Sequence, residues 1–132
     1  MAYNVLVCST RKEQDLAKNL ADSLRDLGVL SVQQETLSKP PLSKASHDRL
    51  QRADEVIVLL TEKSMVDPWV LYEMGAASSL HKRVTPILVG IGSSDLPAVL
   101  RQMQHVSYAD LRNYLAKLKK RVAPDEGDKR VA

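Results

Sequence analysis

The sequence predicts an α/β fold in which five strands form a parallel sheet with helices on both faces. Short apolar runs alternate with amphipathic stretches along the chain. The run EVIVLL at residues 55–60 is continuous and rich in β-branched residues, as expected of a strand buried on both faces. Strands separated by helices pair in parallel, and the common order for five such units is 2-1-3-4-5.

The first two units are marked by helical leucine spacing and by a glycine. We predict a strand at 3–8 and then a helix at 13–27, where leucines recur on one face. Gly28 is placed to end that helix. A weaker strand is predicted at 29–33, followed by a loop, because two adjacent prolines fit neither a helix interior nor a central strand. A short helix is predicted at 46–53.

The third unit begins with the strand at 55–60 and continues with a helix whose start is well marked. Asp67 is a favourable N-cap and Pro68 suits the first helical position, so a helix is expected from there to about Leu80. The remaining predicted elements are a strand at 84–89, a helix at 98–103, a strand at 105–108 and a helix at 109–122. Residues 1–122 are predicted to form one domain, and residues 123–132 a polar, frayed C-terminal tail.

Composition argues against several functions. The net charge of +3 comes largely from a late basic cluster without interleaved aromatic residues, so no nucleic-acid partner is expected. No apolar stretch approaches the roughly 18 residues of a membrane span. Cys8 is the only cysteine, which fits a cytoplasmic protein without disulfides. The three histidines lack metal-ligand spacing, so no metal is expected.

A ligand crevice is expected where the strand order reverses, between the first and third strands. The flanking loops are 9–12 and 61–67, and the helix after the third strand carries Trp69 and Glu73 on one face. Buried carboxylates are uncommon unless they are paired. Glu73 could therefore be a structural partner of Arg11 or Lys44, or a functional group of the site.

Several familiar α/β sites are absent from the sequence. There is no GxxxxGK[ST] loop, no GxGxxG fingerprint and no GxSxG elbow. A response-regulator receiver needs acidic residues at the ends of the first and third strands, which here read Cys8-Ser9 and Leu60-Thr61. These chemistries are therefore not expected.

An ordered series of motifs resembles the Toll/interleukin-1 receptor (TIR) domain family, in its bacterial type. Residues 6–13 are similar to F-I-S-Y-S-x-x-D, and residues 53–61 to A-D-x-V-I-V-L-L-T. Residues 69–77 match W-x-x-x-E-x-x-x-A, and residues 82–88 match K-R-V-x-P-I-L. The resemblance covers the chain from Val5 to about Val122. It implies the flavodoxin-like three-layer form of the predicted fold.

The resemblance implies two kinds of function. Many TIR domains cleave NAD⁺ between nicotinamide and ribose, with the glutamate of W-x-x-x-E as catalytic residue, which is Glu73 here. NAD⁺ would be the substrate and no cofactor would be needed. The product would be ADP-ribose or a cyclic ADP-ribose, in signalling or defence. Other TIR domains are non-catalytic adaptors that act through TIR–TIR interactions.

The chemistry suits a lone carboxylate. Glycosidases use two carboxyl groups because the leaving oxygen must be protonated, but nicotinamide leaves as a neutral molecule. One carboxylate can then hold the ribose and stabilise the developing positive charge. A nucleoside deoxyribosyltransferase-like enzyme, which also holds a ribose with a glutamate, is a further alternative.

Supporting residues follow from the crevice and from the resemblance. The substrate-binding candidates are Ser9, Thr10, Arg11, Lys12, Lys44 and Trp69. The family's proline-containing BB loop, expected to mediate self-association or contact with other TIR domains, is represented by Leu37, Ser38, Lys39, Pro40, Pro41 and Leu42.

Overall fold

A computed structural model describes residues 3–29, 31–37 and 44–131. Its sheet has five parallel strands in the order β2-β1-β3-β4-β5, which confirms the predicted topology. The strands are β1 Asn4–Ser9, β2 Ser31–Thr36, β3 Glu55–Leu60, β4 Arg83–Leu88 and β5 Val106–Ser107.

Five α-helices cover the two faces of the sheet. They are α1 Gln14–Asp26, α2 Lys44–Arg52, α3 Pro68–Ser79, α4 Ala98–Arg101 and α5 Leu111–Val131. One apolar core packs α2, α3 and α4 against one face, and it includes Leu6 and Cys8 of β1. The other core packs α1 and α5 against the opposite face, with Val5 and Val7 of the same strand. Alternate residues of β1 therefore enter different cores, as the twofold repeat of a strand requires.

The winding direction changes at β1, which pairs with β2 on one side and β3 on the other. The loops that leave β1 and β3 meet beyond this point. The Thr61 hydroxyl lies 3.5 Å from Oε1 of Glu13, which joins the two loops. The crevice position predicted from the strand order is therefore the place where these loops meet.

Strand β2 begins later than predicted because the end of α1 uses Val29. Gly28 has a φ of 97° and its N–H donates to the Arg25 carbonyl, while the N–H of Val29 donates to the Leu24 carbonyl. These two bonds form a Schellman motif, which confirms Gly28 as the residue that ends the helix. The predicted strand at 29–33 was thus placed too early, and β2 runs on to Thr36.

Helix α3 starts where the sequence predicted. Oδ1 of Asp67 accepts hydrogen bonds from the N–H groups of Trp69 and Val70, at 2.8 and 3.4 Å, and Pro68 is the first helical residue. The helix ends in a second Schellman motif, with the N–H of Lys82 donating to the Ala77 carbonyl. Here the left-handed position is occupied by His81, with a φ of 59°, rather than by glycine.

Helix α5 is longer than the sequence predicted. Its expected end near Val122 was wrong, because the helix continues through the polar segment to Val131. The segment contains Pro124 and Gly127, two poor helix formers, so local propensity alone predicts an earlier end. None of the helices in the described part of the chain is both long and apolar enough to cross a membrane.

A buried carboxylate anchors α5 at the amino ends of the strands, opposite the predicted crevice. Glu55, at the amino end of β3, is completely buried. It accepts hydrogen bonds from the hydroxyl groups of Tyr3 and Tyr114, and it forms an ion pair with Arg121 at 2.9 Å. Both oxygens of Glu55 are hydrogen-bonded within this cluster, so it serves structure rather than ligand binding.

Candidate functional site

Glu73 projects from α3 into the core beside the carboxyl ends of β1 and β2. Its side chain is only 3% exposed, while Trp69, one turn earlier on the helix, is half-buried. Among the described residues Glu73 takes part in no ion pair, and its Oε2 has no hydrogen-bond partner. The two basic residues considered as its partners, Arg11 and Lys44, are exposed. Glu73 is therefore a buried acid without a direct counterion there.

A second buried acid lies next to Glu73. Glu35 of β2 is paired in register with Cys8 of β1, and neighbours in register lie on the same face of a parallel sheet. Cys8 belongs to the core under α2 and α3, so Glu35 faces those helices as well. Glu35 is 6% exposed, and its Oε2 also lacks a partner in the described structure. Two buried carboxyl groups thus face the same core, under α2 and α3.

Arg49 of α2 supplies the positive charge near this pair. Its Nη2 and Nε atoms lie 2.6 and 2.9 Å from Oε1 of Glu35. Nη2 also lies 3.4 Å from the Ser46 hydroxyl. The cation therefore binds Glu35 directly.

The surroundings change the acidity of Glu73. Burial, followed by the negative charge of Glu35, raises the pKa of Glu73 from 4.5 to about 7, and Arg49 opposes this rise. The same surroundings act on Cys8, which is completely buried. Burial, with the charges of Glu73 and Glu35, raises the pKa of the Cys8 thiol well above its usual range. Cys8 is therefore a buried structural thiol and not a nucleophile.

The predicted substrate-binding residues lie on several parts of this edge. Ser9 is buried and its carbonyl accepts a hydrogen bond of 2.7 Å from the N–H of Leu37. Thr10 is half-buried and starts a short 3₁₀ helix over Arg11–Glu13. Lys12 is exposed on that turn and lies beside Lys63 of the loop after β3, and the side-chain contact with Lys63, followed by its charge, lowers the pKa of Lys12. Two lysines thus lie together on the loops that follow β1 and β3, beside the point where the winding direction of the sheet changes.

The family follows from a comparison with known domain families. Residues 5–122 match the family model described as a TIR domain. The chain belongs to the TIR domain family.

Solved TIR structures share the fold at low sequence identity. The TIR domain of the Toll-related receptor TRR-2 from Hydra magnipapillata is 16% identical, with a TM-score of 0.67, covering 91% of this chain and 97% of that one. The TIR domains of the activated Roq1 resistosome, which directly recognises the pathogen effector XopQ, are 14% identical, with a TM-score of 0.62, covering 94% and 99%. A comparison with curated proteins gave no match.

Three residues of this TIR edge were missed by sequence analysis, namely Glu35, Arg49 and Lys63. Glu35 was assigned to a loop because β2 was ended at residue 33; a strand extended by two residues would have placed it at the carboxyl end of β2. For Arg49 and Lys63, no sequence motif or spacing indicates a place in the site. Of the predicted BB loop, only Leu37 is described, as a buried residue; Ser38, Lys39, Pro40, Pro41 and Leu42 lie outside the described residues. No group of potential metal ligands occurs within the described ranges.

Proposed function

We propose that this TIR domain cleaves NAD⁺ between nicotinamide and ribose, with Glu73 as the catalytic residue. The observation that carries the proposal is a buried carboxyl group that has no direct counterion among the described residues. It lies one turn after the half-buried Trp69, where the winding direction of the sheet changes. A buried acid of this kind lowers the stability of the fold. Its presence despite that cost makes it a candidate for function. The match of Trp69 and Glu73 to the family's W-x-x-x-E motif supports the same role.

The proposed reaction needs one negative charge and no acid. The bond between the ribose anomeric carbon and the nicotinamide nitrogen breaks, and its electron pair leaves with the ring, which becomes neutral. Ionised Glu73 would stabilise the positive charge that develops on the ribose and would accept hydrogen bonds from its hydroxyl groups. Water then adds to the anomeric carbon and loses a proton to solvent, which yields ADP-ribose. Attack by a group of the same molecule instead of water would yield a cyclic product.

Access to Glu73 requires a change in its surroundings. The carboxyl group is 3% exposed, so a ribose could not reach it without movement of the surrounding residues. We infer that NAD⁺ binds only when the site is enlarged, and we propose that self-association or contact with another TIR domain through residues 37–42 does this. Turnover per molecule would then rise with protein concentration.

Charged groups at the edge of the site fit the rest of the substrate. Lys12 and Lys63 are both exposed and close together, so they would attract the diphosphate of NAD⁺. Arg11 and Lys44 are exposed as well and would add to the positive field. Trp69 would contact the substrate with the part of its ring that is not buried.

A non-catalytic adaptor is the second candidate, and the burial of Glu73 favours it. A carboxyl group that is 3% exposed touches no substrate unless the site opens. An adaptor would keep Glu73 closed in the assembled state and would signal only through TIR–TIR contacts.

Nicotinamide release distinguishes these functions. The purified protein is incubated with NAD⁺ at dilute and high concentrations, and nicotinamide is measured by chromatography. The enzyme hypothesis expects release that falls about 100-fold or more in Glu73→Ala. Asp22→Asn removes an exposed carboxylate of α1 and is the matched control, with unchanged release. No release at any concentration would favour the adaptor, and exchange of bases on deoxynucleosides would favour the deoxyribosyltransferase-like alternative.

A further inference from the structure

The two buried acids of the site are not equivalent, because in the described part of the chain Arg49 is ion-paired with Glu35 and no cation is paired with Glu73. Arg49 makes both of its contacts, at 2.6 and 2.9 Å, with Oε1 of Glu35. Oε2 of Glu35 and Oε2 of Glu73 are both buried and both lack a partner within the described part of the chain. Two ionised carboxylates that face the same buried core repel each other strongly when they are close. One proton placed between them removes the repulsion and provides a hydrogen bond.

We propose that Glu35 is a positioning residue for Glu73, in which Arg49 fixes the negative charge on Glu35 and the shared proton stays on Glu73 in the resting protein. Protonated Glu73 then donates a hydrogen bond to Glu35, which satisfies a buried oxygen on each side chain. The catalytic consequence rests on the proposed function: Glu73 must release this proton to solvent before it can stabilise a cationic ribose.

Each packed element contributes a titratable group to this position. The described groups are Cys8 from β1, Glu35 from β2, Arg49 from α2 and Glu73 from α3. The thiol of Cys8 is held neutral by its burial, so it adds no charge. Burial, together with the balance between Glu35 and Arg49, therefore sets the charge of Glu73. This assignment agrees with the raised pKa of Glu73, which burial and Glu35 increase and Arg49 decreases.

The test follows the side-chain carboxyl carbon of Glu73 by ¹³C NMR during a pH titration. Glu35→Gln removes the neighbouring charge and keeps the shape, so the midpoint of Glu73 is expected to fall by about 1 pH unit or more. Arg49→Gln removes the cation, so the midpoint is expected to rise. Asp22→Asn, which removes an exposed carboxylate, is expected to leave the midpoint unchanged. The two site variants thus shift the midpoint in opposite directions, and a merely structural role would not do this.

The outcomes for the carboxyl pair and for the proposed function are separate. If the midpoint of Glu73 is the same in Glu35→Gln and in the wild type, the proposal that Glu35 positions the proton of Glu73 is wrong, whether or not NAD⁺ is cleaved. If Glu35→Gln fails to fold, a midpoint that does not rise in Arg49→Gln has the same meaning. Where nicotinamide is released, the pH at which kcat/KM reaches half its maximum should move with the NMR midpoint. If the midpoints move as expected and no nicotinamide is released, the pair stands and the proposed function fails.

Discussion

Nη2 and Nε of Arg49 both contact Oε1 of Glu35, and Oε2 of the same carboxylate has no partner in the described structure. The guanidinium is therefore already paired before it can neutralise Glu73. This leaves a partly uncompensated acid in the core of a small domain. Uncompensated buried acids cost stability, and that cost can be measured.

Replacement of Glu73 by glutamine should stabilise the protein at alkaline pH. The pKa of Glu73 is about 7 in the folded protein and 4.5 ordinarily, so the folded state holds this proton more tightly. Its contribution to stability is full below pH 4.5 and is lost as the pH rises through about 7. This difference corresponds to about 3 kcal/mol. In urea unfolding, Glu73→Gln should gain up to that amount at pH 8 and less at pH 5, relative to the wild type.

The control for this prediction is Asp22→Asn, whose carboxylate is exposed and should give the same stability change at both pH values. A Glu73→Gln variant that loses more stability at pH 8 than at pH 5 would contradict the prediction. It would show that the ionised carboxylate has a partner that stabilises it.

The Cys8 thiol should resist alkylation in the native protein. It is completely buried, and burial beside Glu73 and Glu35 raises its pKa, so little thiolate forms and none is accessible. Mass spectrometry should show no iodoacetamide adduct at pH 8 in buffer and one adduct in concentrated urea. Rapid and complete modification of the folded protein would mean that the core between β1 and α2 opens readily.

Replacement of His81 by glycine should stabilise the protein by about 1 kcal/mol. His81 has a φ of 59° at the end of α3, and a side chain at such a position costs roughly this amount relative to glycine. Thermal unfolding of His81→Gly measures the gain. His47→Gly is the matched control, because His47 is exposed inside α2, where glycine should destabilise by about 1 kcal/mol. A loss of stability in His81→Gly would show that its side chain makes a contact that outweighs the strain.

Removal of Arg121 should destabilise the fold without acting on the candidate site. Arg121 forms an ion pair of 2.9 Å with Glu55, which is completely buried, and its loss would leave that carboxylate without a cation. Breaking such a pair costs about 3 kcal/mol. Urea unfolding of Arg121→Ala should show this loss, while Lys120→Ala, at an exposed neighbouring position, should stay within about 0.5 kcal/mol of the wild type. Equal stabilities for the two variants would contradict the anchoring role.

Lys63→Gln should weaken NAD⁺ binding more than it slows the chemical step. Lys63 and Lys12 are exposed and adjacent, so each would form only a solvent-screened, weak ion pair with the diphosphate. KM should therefore rise about 2- to 5-fold with little change in kcat. Lys119→Gln, which removes an exposed charge from α5, is the control. An unchanged KM in Lys63→Gln would remove this lysine from the substrate site.

The features that depend on local sequence were predictable. Strand β3 has the predicted ends, because its apolar run is long enough to be recognised without its neighbours. The start of α3 and the end of α1 also agree with prediction, since a cap depends on a few adjacent residues such as Asp67 and Gly28. The order of the sheet followed from the alternation of the elements.

The features that depend on contacts between distant segments were not predictable. Strand β2 lies at the edge of the sheet, and its exposed glutamines resemble those of a loop. Glu35 is polar yet buried, and its burial depends on Arg49, which lies 14 residues away in the sequence. The role of Glu73 was proposed from a motif, whereas the acid beside it emerged only from the register of β1 and β2.

The single tryptophan of the chain lies one helical turn before Glu73 and is half-buried. Indole fluorescence therefore reports on this region alone, with no label and no background from elsewhere in the protein. A change in emission wavelength on adding nucleotide, or on concentrating the protein, would follow directly from events within a few ångströms of the proposed catalytic acid.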